Sequence, residues 1–178
     1  MAHSHVHETH VREPGRGKSW RDYLPLVVIV GLAALAGAAK QVHYGGWSTE
    51  AWMLDFMGVF LVFFSAFKFF DLEGFADGFG MYDLLAKPFR PYAYLYPFLE
   101  LALGLGYLSR WRLPVVMIAT VVLMGFGALG VIRALRRGLD LECACMGTVL
   151  RVPLSTVALL EDLGMAVMAT AMLAMSRV

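Results

Sequence analysis

Leu113-Pro114-Val115-Val116-Met117-Ile118-Ala119-Thr120-Val121-Val122-Leu123-Met124-Gly125-Phe126-Gly127-Ala128-Leu129-Gly130-Val131-Ile132 runs for twenty residues without one charged side chain. A helix rises about 1.5 Å per residue, so about 20 apolar residues cross a hydrocarbon core of about 30 Å. The stretch is long enough, and Pro114 stands at its start, where a missing N–H leaves no bond unmade. Four more stretches approach the same length: residues 23–39, 51–70, 91–108 and 153–175. Pro91 and Pro153 open their runs as Pro114 does. Pro97 lies well inside 91–108, where it predicts a kink and a freed carbonyl at Ala93. No strand alternation competes with the helical reading, and no internal repeat stands out. The expectation is an all-α integral membrane helical bundle in a lipid bilayer.

The chain as a whole agrees with its longest run. Its 178 residues are 59% hydrophobic and 16% charged, with a mean hydropathy of +0.64. Soluble domains run at about 45–50% apolar and about 25% charged. Disorder and a secreted disulfide scaffold are excluded on these grounds. So is a nucleic-acid partner: 15 Lys+Arg against 14 Asp+Glu make no basic field for phosphates.

Residues 23–39 are the shortest run and contain Pro25, Gly31 and Gly37. They resemble a secretory signal in their alanine-rich end, but the apolar stretch is longer than a usual signal core. An uncleaved helix is expected. With five spans, Arg12, Arg16, Lys18, Arg21, Lys87, Arg90, Arg133, Arg136, Arg137 and Arg151 share one side, against Lys40, Arg110, Arg112 and Arg177. Positive charge marks the cytoplasmic side. This count places the N-terminus, and the loop before the last helix, in the cytoplasm.

That loop holds the only two cysteines, Cys143 and Cys145. A Cys-x-Cys pair serves two chemistries. It can cycle between dithiol and disulfide, and the small ring strains the bond and makes it labile. It can also capture a soft metal ion such as copper or mercury, although two thiolates alone do not complete a tetrahedral zinc site. The N-terminal tail carries His3, His5, His7 and His10, a tract that binds divalent metals loosely or is simply a solvated tail.

Ionisable residues inside spans are functional candidates by default. They are Asp55, Lys68, Glu100, Glu161 and Asp162. Asp55 and Lys68 lie roughly 20 Å apart on one helix and cannot pair. Asp55, Gly58, Val62 and Ser65 form one stripe that reads as bundle-facing. Lys68 sits near its helix end, where snorkelling is the simplest account, yet it is also the candidate cation for Glu100. Met165, Met168 and Met172 share a face, which suits flexible packing more readily than a thioether path for Cu(I). Trp20, Tyr23, Trp47, Trp52, Tyr107 and Trp111 fall at span ends, as an interfacial aromatic belt would. Leu72, Phe75, Phe79 and Tyr82 recur at helical spacing, which suggests a short amphipathic helix lying on the membrane surface.

From Gly58 to Met175 the sequence resembles the MauE/DoxX-like membrane proteins, named for methylamine utilisation. The resemblance is carried by Ser65-Ala66-Phe67-Lys68 with Asp71 and Phe75, and by Pro97-Phe98-Leu99-Glu100-Leu101-Ala102-Leu103-Gly104. It continues in Cys143-Ala144-Cys145-Met146-Gly147, Pro153-Leu154-Ser155 and Glu161-Asp162-Leu163. It implies a four-helix domain over 51–175, preceded by an extra transmembrane helix at 23–39 and a disordered His-rich tail at 1–22. It further implies that Cys143 and Cys145 form a membrane dithiol/disulfide pair. In the family such a pair is associated with maturing the disulfide-rich small subunit of methylamine dehydrogenase, beside a thioredoxin-like partner. Met146 in place of the usual aromatic, the extra helix and the His tail depart from the pattern. They are similar to a branch joined to heavy-metal-associated domains, which implies soft-metal transport or resistance with a metal-chaperone partner. The resemblance implies a multi-pass protein of the bacterial inner membrane. Disulfide work belongs on the periplasmic face, whereas the charge count puts the cysteine loop in the cytoplasm.

Overall fold

In a computed structural model of the chain, the described residues are 23–43, 45–137 and 154–175. They form six helices and no strand. These are α1 (Leu24–His43), α2 (Thr49–Phe70), α3 (Leu72–Tyr82), α4 (Arg90–Leu108), α5 (Leu113–Arg136) and α6 (Leu154–Met175). Pro91 and Pro114 do stand in the first turns of α4 and α5, and α4 continues as one helix through Pro97. α2 is capped by Ser48, whose hydroxyl accepts from the Ala51 N–H.

The five long helices pack as successive antiparallel neighbours. Trp52 at the start of α2 donates its indole N–H to the Ala34 carbonyl of α1. Where α2 meets α4, Gly58 lies against Gly104, and Phe69 lies edge-on to Phe98 at 4.8 Å. Tyr107 of α4 donates to Thr120 of α5 at 2.9 Å. Gly127 of α5 faces Asp162 of α6. One end of the bundle thus gathers the end of α2, the start of α4, the end of α5 and the start of α6. The other end holds the α1–α2 and α4–α5 turns.

Among the described residues, four helices, α1, α2, α5 and α6, are long and apolar enough to cross a membrane. α4 matches them in length with 19 residues. Arg90, Tyr92, Tyr94, Tyr96, Pro97 and Glu100 make it more polar, and it lies alongside α2 from end to end. Outward-facing Val27, Leu35, Val115, Leu129, Leu160 and Val167 are all more than half exposed. Such a surface suits lipid and not water. The protein is a multi-pass membrane helical bundle.

Two expectations change on packing. α3 is a helix, but its apolar face does not meet lipid: Phe75, Ala76 and Phe79 are buried against Tyr96 and Ala93 of α4. Tyr107 does not belong to an interfacial belt. It is fully buried, its hydroxyl satisfied by Thr120, while Trp47 and Trp111 are exposed. Met165 and Met172 are buried in the main core with Met57, Met117 and Met124, so their stripe packs.

Candidate functional site

Lys68 is placed one turn from the end of α2, where a four-carbon stem could carry its ammonium out to water. Its side chain instead points into the bundle and is 4% exposed, so the snorkelling account does not hold. The reason is a set of partners on two other helices. Lys68 Nζ donates to Glu100 Oε1 and Oε2 of α4, each at 2.7 Å, and to Glu161 Oε1 of α6 at 2.6 Å. Glu100 is fully buried and Glu161 nearly so. An ammonium has three N–H bonds, and carboxylate oxygens from two other helices accept from it.

The rest of the pocket is aromatic. Lys68 Nζ lies 5.8, 5.7 and 5.5 Å from the ring centroids of Phe64, Phe75 and Tyr96. These distances fall within cation–π range, and the rings hold water away from the charges. α3 therefore acts as a lid on the site through Phe75.

Asp162, the neighbour of Glu161, is 5% exposed and turns toward α4 and α5. The Tyr96 hydroxyl donates to its Oδ1 at 3.2 Å, with Met124 Sδ 3.6 Å from the same hydroxyl. Gly127 makes room for this carboxylate, since a Cβ there would collide with Asp162 Oδ2. One turn on, Gly130 would place a Cβ 3.2 Å from the backbone of Tyr82 and Asp83. These two glycines let α5 approach both acidic residues.

Asp83 closes the site toward the bundle end. It is 2% exposed, and its Oδ1 accepts from the Leu85 and Ala86 N–H groups, each at 2.8 Å. Burial pushes its carboxyl above the ordinary 3.8, while the Ala86 and Leu85 N–H groups pull the other way. Its ionised form therefore weakens folding as pH rises from 3.8 through the raised native value. Asp83→Asn keeps an acceptor and removes the charge, so its stability relative to the native chain should rise from acid to neutral pH. Asp83→Ala removes the acceptor as well and should cost about 1–2 kcal/mol at either pH. Thermal unfolding in detergent at two pH values checks both.

A second polar group ties α1 to the core at the opposite end. Asp55 is fully buried and accepts from Lys40 Nζ at 2.7 Å and Arg110 at 2.9 Å, with Gln41 Nε2 at 3.4 Å. Ser65 and Gly58 of the same stripe are also buried, and Val62 is half-buried.

Lys68, Glu100, Glu161 and Asp162 thus come together, and Asp55 stands apart from them. Tyr96, Phe75 and Asp83 belong to the site although the sequence did not single them out for it. Tyr96 was legible as the residue one helical turn before Glu100. Asp83 carried no comparable signal, being an aspartate in a glycine-rich connection. Cys143, Cys145, His3, His5, His7 and His10 lie outside the described residues. Among the described residues, no group of three His, Cys, Asp or Glu is arranged to hold a metal ion.

No curated protein and no solved structure matches the chain. A family profile does: Methylamine utilisation protein MauE matches residues 47–175. The match takes in α2 to α6, with Lys68, Glu100, Glu161, Asp162 and both cysteines, and leaves α1 before it. It covers well over half of the sequence, and the chain accordingly belongs to the MauE family of membrane proteins.

Proposed function

We propose that the protein is a bacterial inner-membrane thiol–disulfide maturation protein of the MauE type, working through Cys143 and Cys145 with a thioredoxin-like partner. One observation supports this reading above the rest. The chain leaves α5 at Arg137 and rejoins α6 at Leu154, at the end of the bundle nearest the Lys68 cluster. The two cysteines lie between these points in sequence, so they are tethered to the helix that carries Glu161 and Asp162. When the pair closes, the S–S bond forms as two electrons and two protons leave the thiols. The partner's disulfide takes them up and is reduced to a dithiol, and the reverse exchange reopens the pair. Thiol trapping across defined redox potentials should reveal a reversible Cys143–Cys145 disulfide that is absent in Cys145→Ser. A pair that never closes at any physiological potential sinks the proposal.

The charge distribution favours a second reading. At the α5–α6 end lie Lys87, Arg90, Arg133, Arg136 and Arg137, and at the other end Lys40, Arg110 and Arg112. If the richer end faces the cytoplasm, the thiols stay reduced and bind a soft metal ion such as copper or mercury. His3, His5, His7 and His10 would then gather the ion, with a metal chaperone as partner. Labelling of intact cells with an impermeant thiol reagent separates the readings. Reaction from outside supports disulfide work, and protection supports cytosolic metal handling.

A further inference from the structure

Among the described residues, the buried cluster is not electrically balanced. One ammonium, Lys68, faces three carboxyl groups, Glu100, Glu161 and Asp162, all within the core. Lys68 donates to Glu100 and Glu161, while Asp162 accepts from the neutral hydroxyl of Tyr96. Glu100 and Glu161 sit on one nitrogen at 2.7 and 2.6 Å, which keeps the two groups adjacent. With every carboxyl ionised, these described residues would hold two uncompensated negative charges, walled by Phe64, Phe75 and Tyr96 and surrounded by apolar helices. Uncompensated charge in such a medium is more costly than neutralisation by a proton.

A further acidic residue, Asp83, stands between the cluster and the bundle end. Gly127 faces Asp162, and Gly130, about 4.5 Å further along α5, faces the backbone of Tyr82 and Asp83, with Asp83 Oδ2 3.6 Å from where its Cβ would stand. Asp83 in turn borders a cavity of about 290 Å³ at the bundle end, lined also by Tyr82, Lys87, Arg133 and Arg137. Among the described residues, the groups that face the cluster are Lys68 of α2, Tyr92, Tyr96 and Glu100 of α4, Glu161 and Asp162 of α6, and Asp83. α3 contributes the Phe75 ring, and its Asp77 is turned outward to Arg90.

We propose that Lys68, Glu100, Glu161 and Asp162 form a proton-binding site, loaded in the folded protein at neutral pH and exchanging with solvent by way of Asp162 and Asp83. The carboxyls hold the protons, Tyr96 orients Asp162, and Lys68 keeps the remaining charge in place. Nothing in this proposal depends on the thiol chemistry.

Infrared spectroscopy of the full chain in lipid nanodiscs tests it. The native protein at neutral pH should show a protonated-carboxyl C=O band that shifts on transfer to D2O while the protein stays folded. The double variant Glu161→Gln/Asp162→Asn leaves one ammonium with one carboxylate and should lose the band. Cys143→Ser/Cys145→Ser should retain it, and Asp83→Asn should retain it with slower exchange. Absence of the band in the native protein overturns the proposal with no variant required. A band that survives the double variant, or that shifts only on unfolding, overturns it equally.

Discussion

Replacing Lys68 by methionine is expected to destabilise the bundle by about 3–5 kcal/mol, the usual loss when one partner of a buried ion pair is removed. Methionine fills much of the stem's volume, so packing against Phe64, Phe75 and Tyr96 survives. What is lost is the ammonium that holds Glu100 at 2.7 Å and Glu161 at 2.6 Å. The negative charge that the ammonium balanced is then left in the core with no counter-charge. Adding Glu100→Gln to Lys68→Met should recover stability, because a neutral amide needs no cation. Such coupling is what a double-mutant cycle measures. Simple addition of two losses, in denaturant unfolding of the purified protein, would show that the three groups do not act together.

Gly104→Leu is expected to produce the second large effect, by a steric route. α2 and α4 approach so closely that a Cβ on Gly104 would lie 3.0 Å from the Gly58 carbonyl and 3.1 Å from the Val62 nitrogen. Both obstacles are backbone, so a side chain cannot swing away to relieve them. Overpacking of this kind costs about 1–3 kcal/mol. Leucine adds three carbons beyond the Cβ and should reach the upper part of that range. Parting α2 from α4 also draws Lys68 from Glu100, so the variant should lose that ion pair together with thermal stability. Gly125 supplies the control, since no atom lies within 4 Å of a Cβ there. Gly125→Ala should be neutral, or more stable by about 0.5–1 kcal/mol from helix propensity. Equal unfolding temperatures for Gly104→Leu and Gly125→Ala would refute this account of the interface.

The two glycines look alike in sequence, since both sit in apolar runs beside other small residues. Only one of them lies where two backbones meet. Lys68 teaches the same lesson from the charged side. Its place near a helix end predicts snorkelling, but a neighbouring helix turns Glu100 toward it and a third brings Glu161 from 93 residues away. Phe75 and Phe79 show it for an apolar face. Their spacing correctly marks a helix with one greasy side, and spacing has no means of saying whether lipid or protein covers that side.

What the sequence determined by itself was whatever depends on transfer of a single segment from water to lipid. Helix lengths, the prolines at the starts of α4 and α5, and the membrane class all follow from hydropathy and backbone chemistry along one stretch of chain. The short list of ionisable residues within the spans follows from the same reasoning, because an isolated charge in an apolar run is visible wherever the run packs. The sequence offered Lys68 as the cation for Glu100, but the full set of charges that meet was decided by the tertiary structure. It sent Asp55 to Lys40 and Arg110, gathered Glu100 and Glu161 on Lys68, and set Asp162 against Tyr96. Pairing of this kind rests on distances between helices. Those distances are set by where glycines permit close approach and by how the bundle satisfies buried charge.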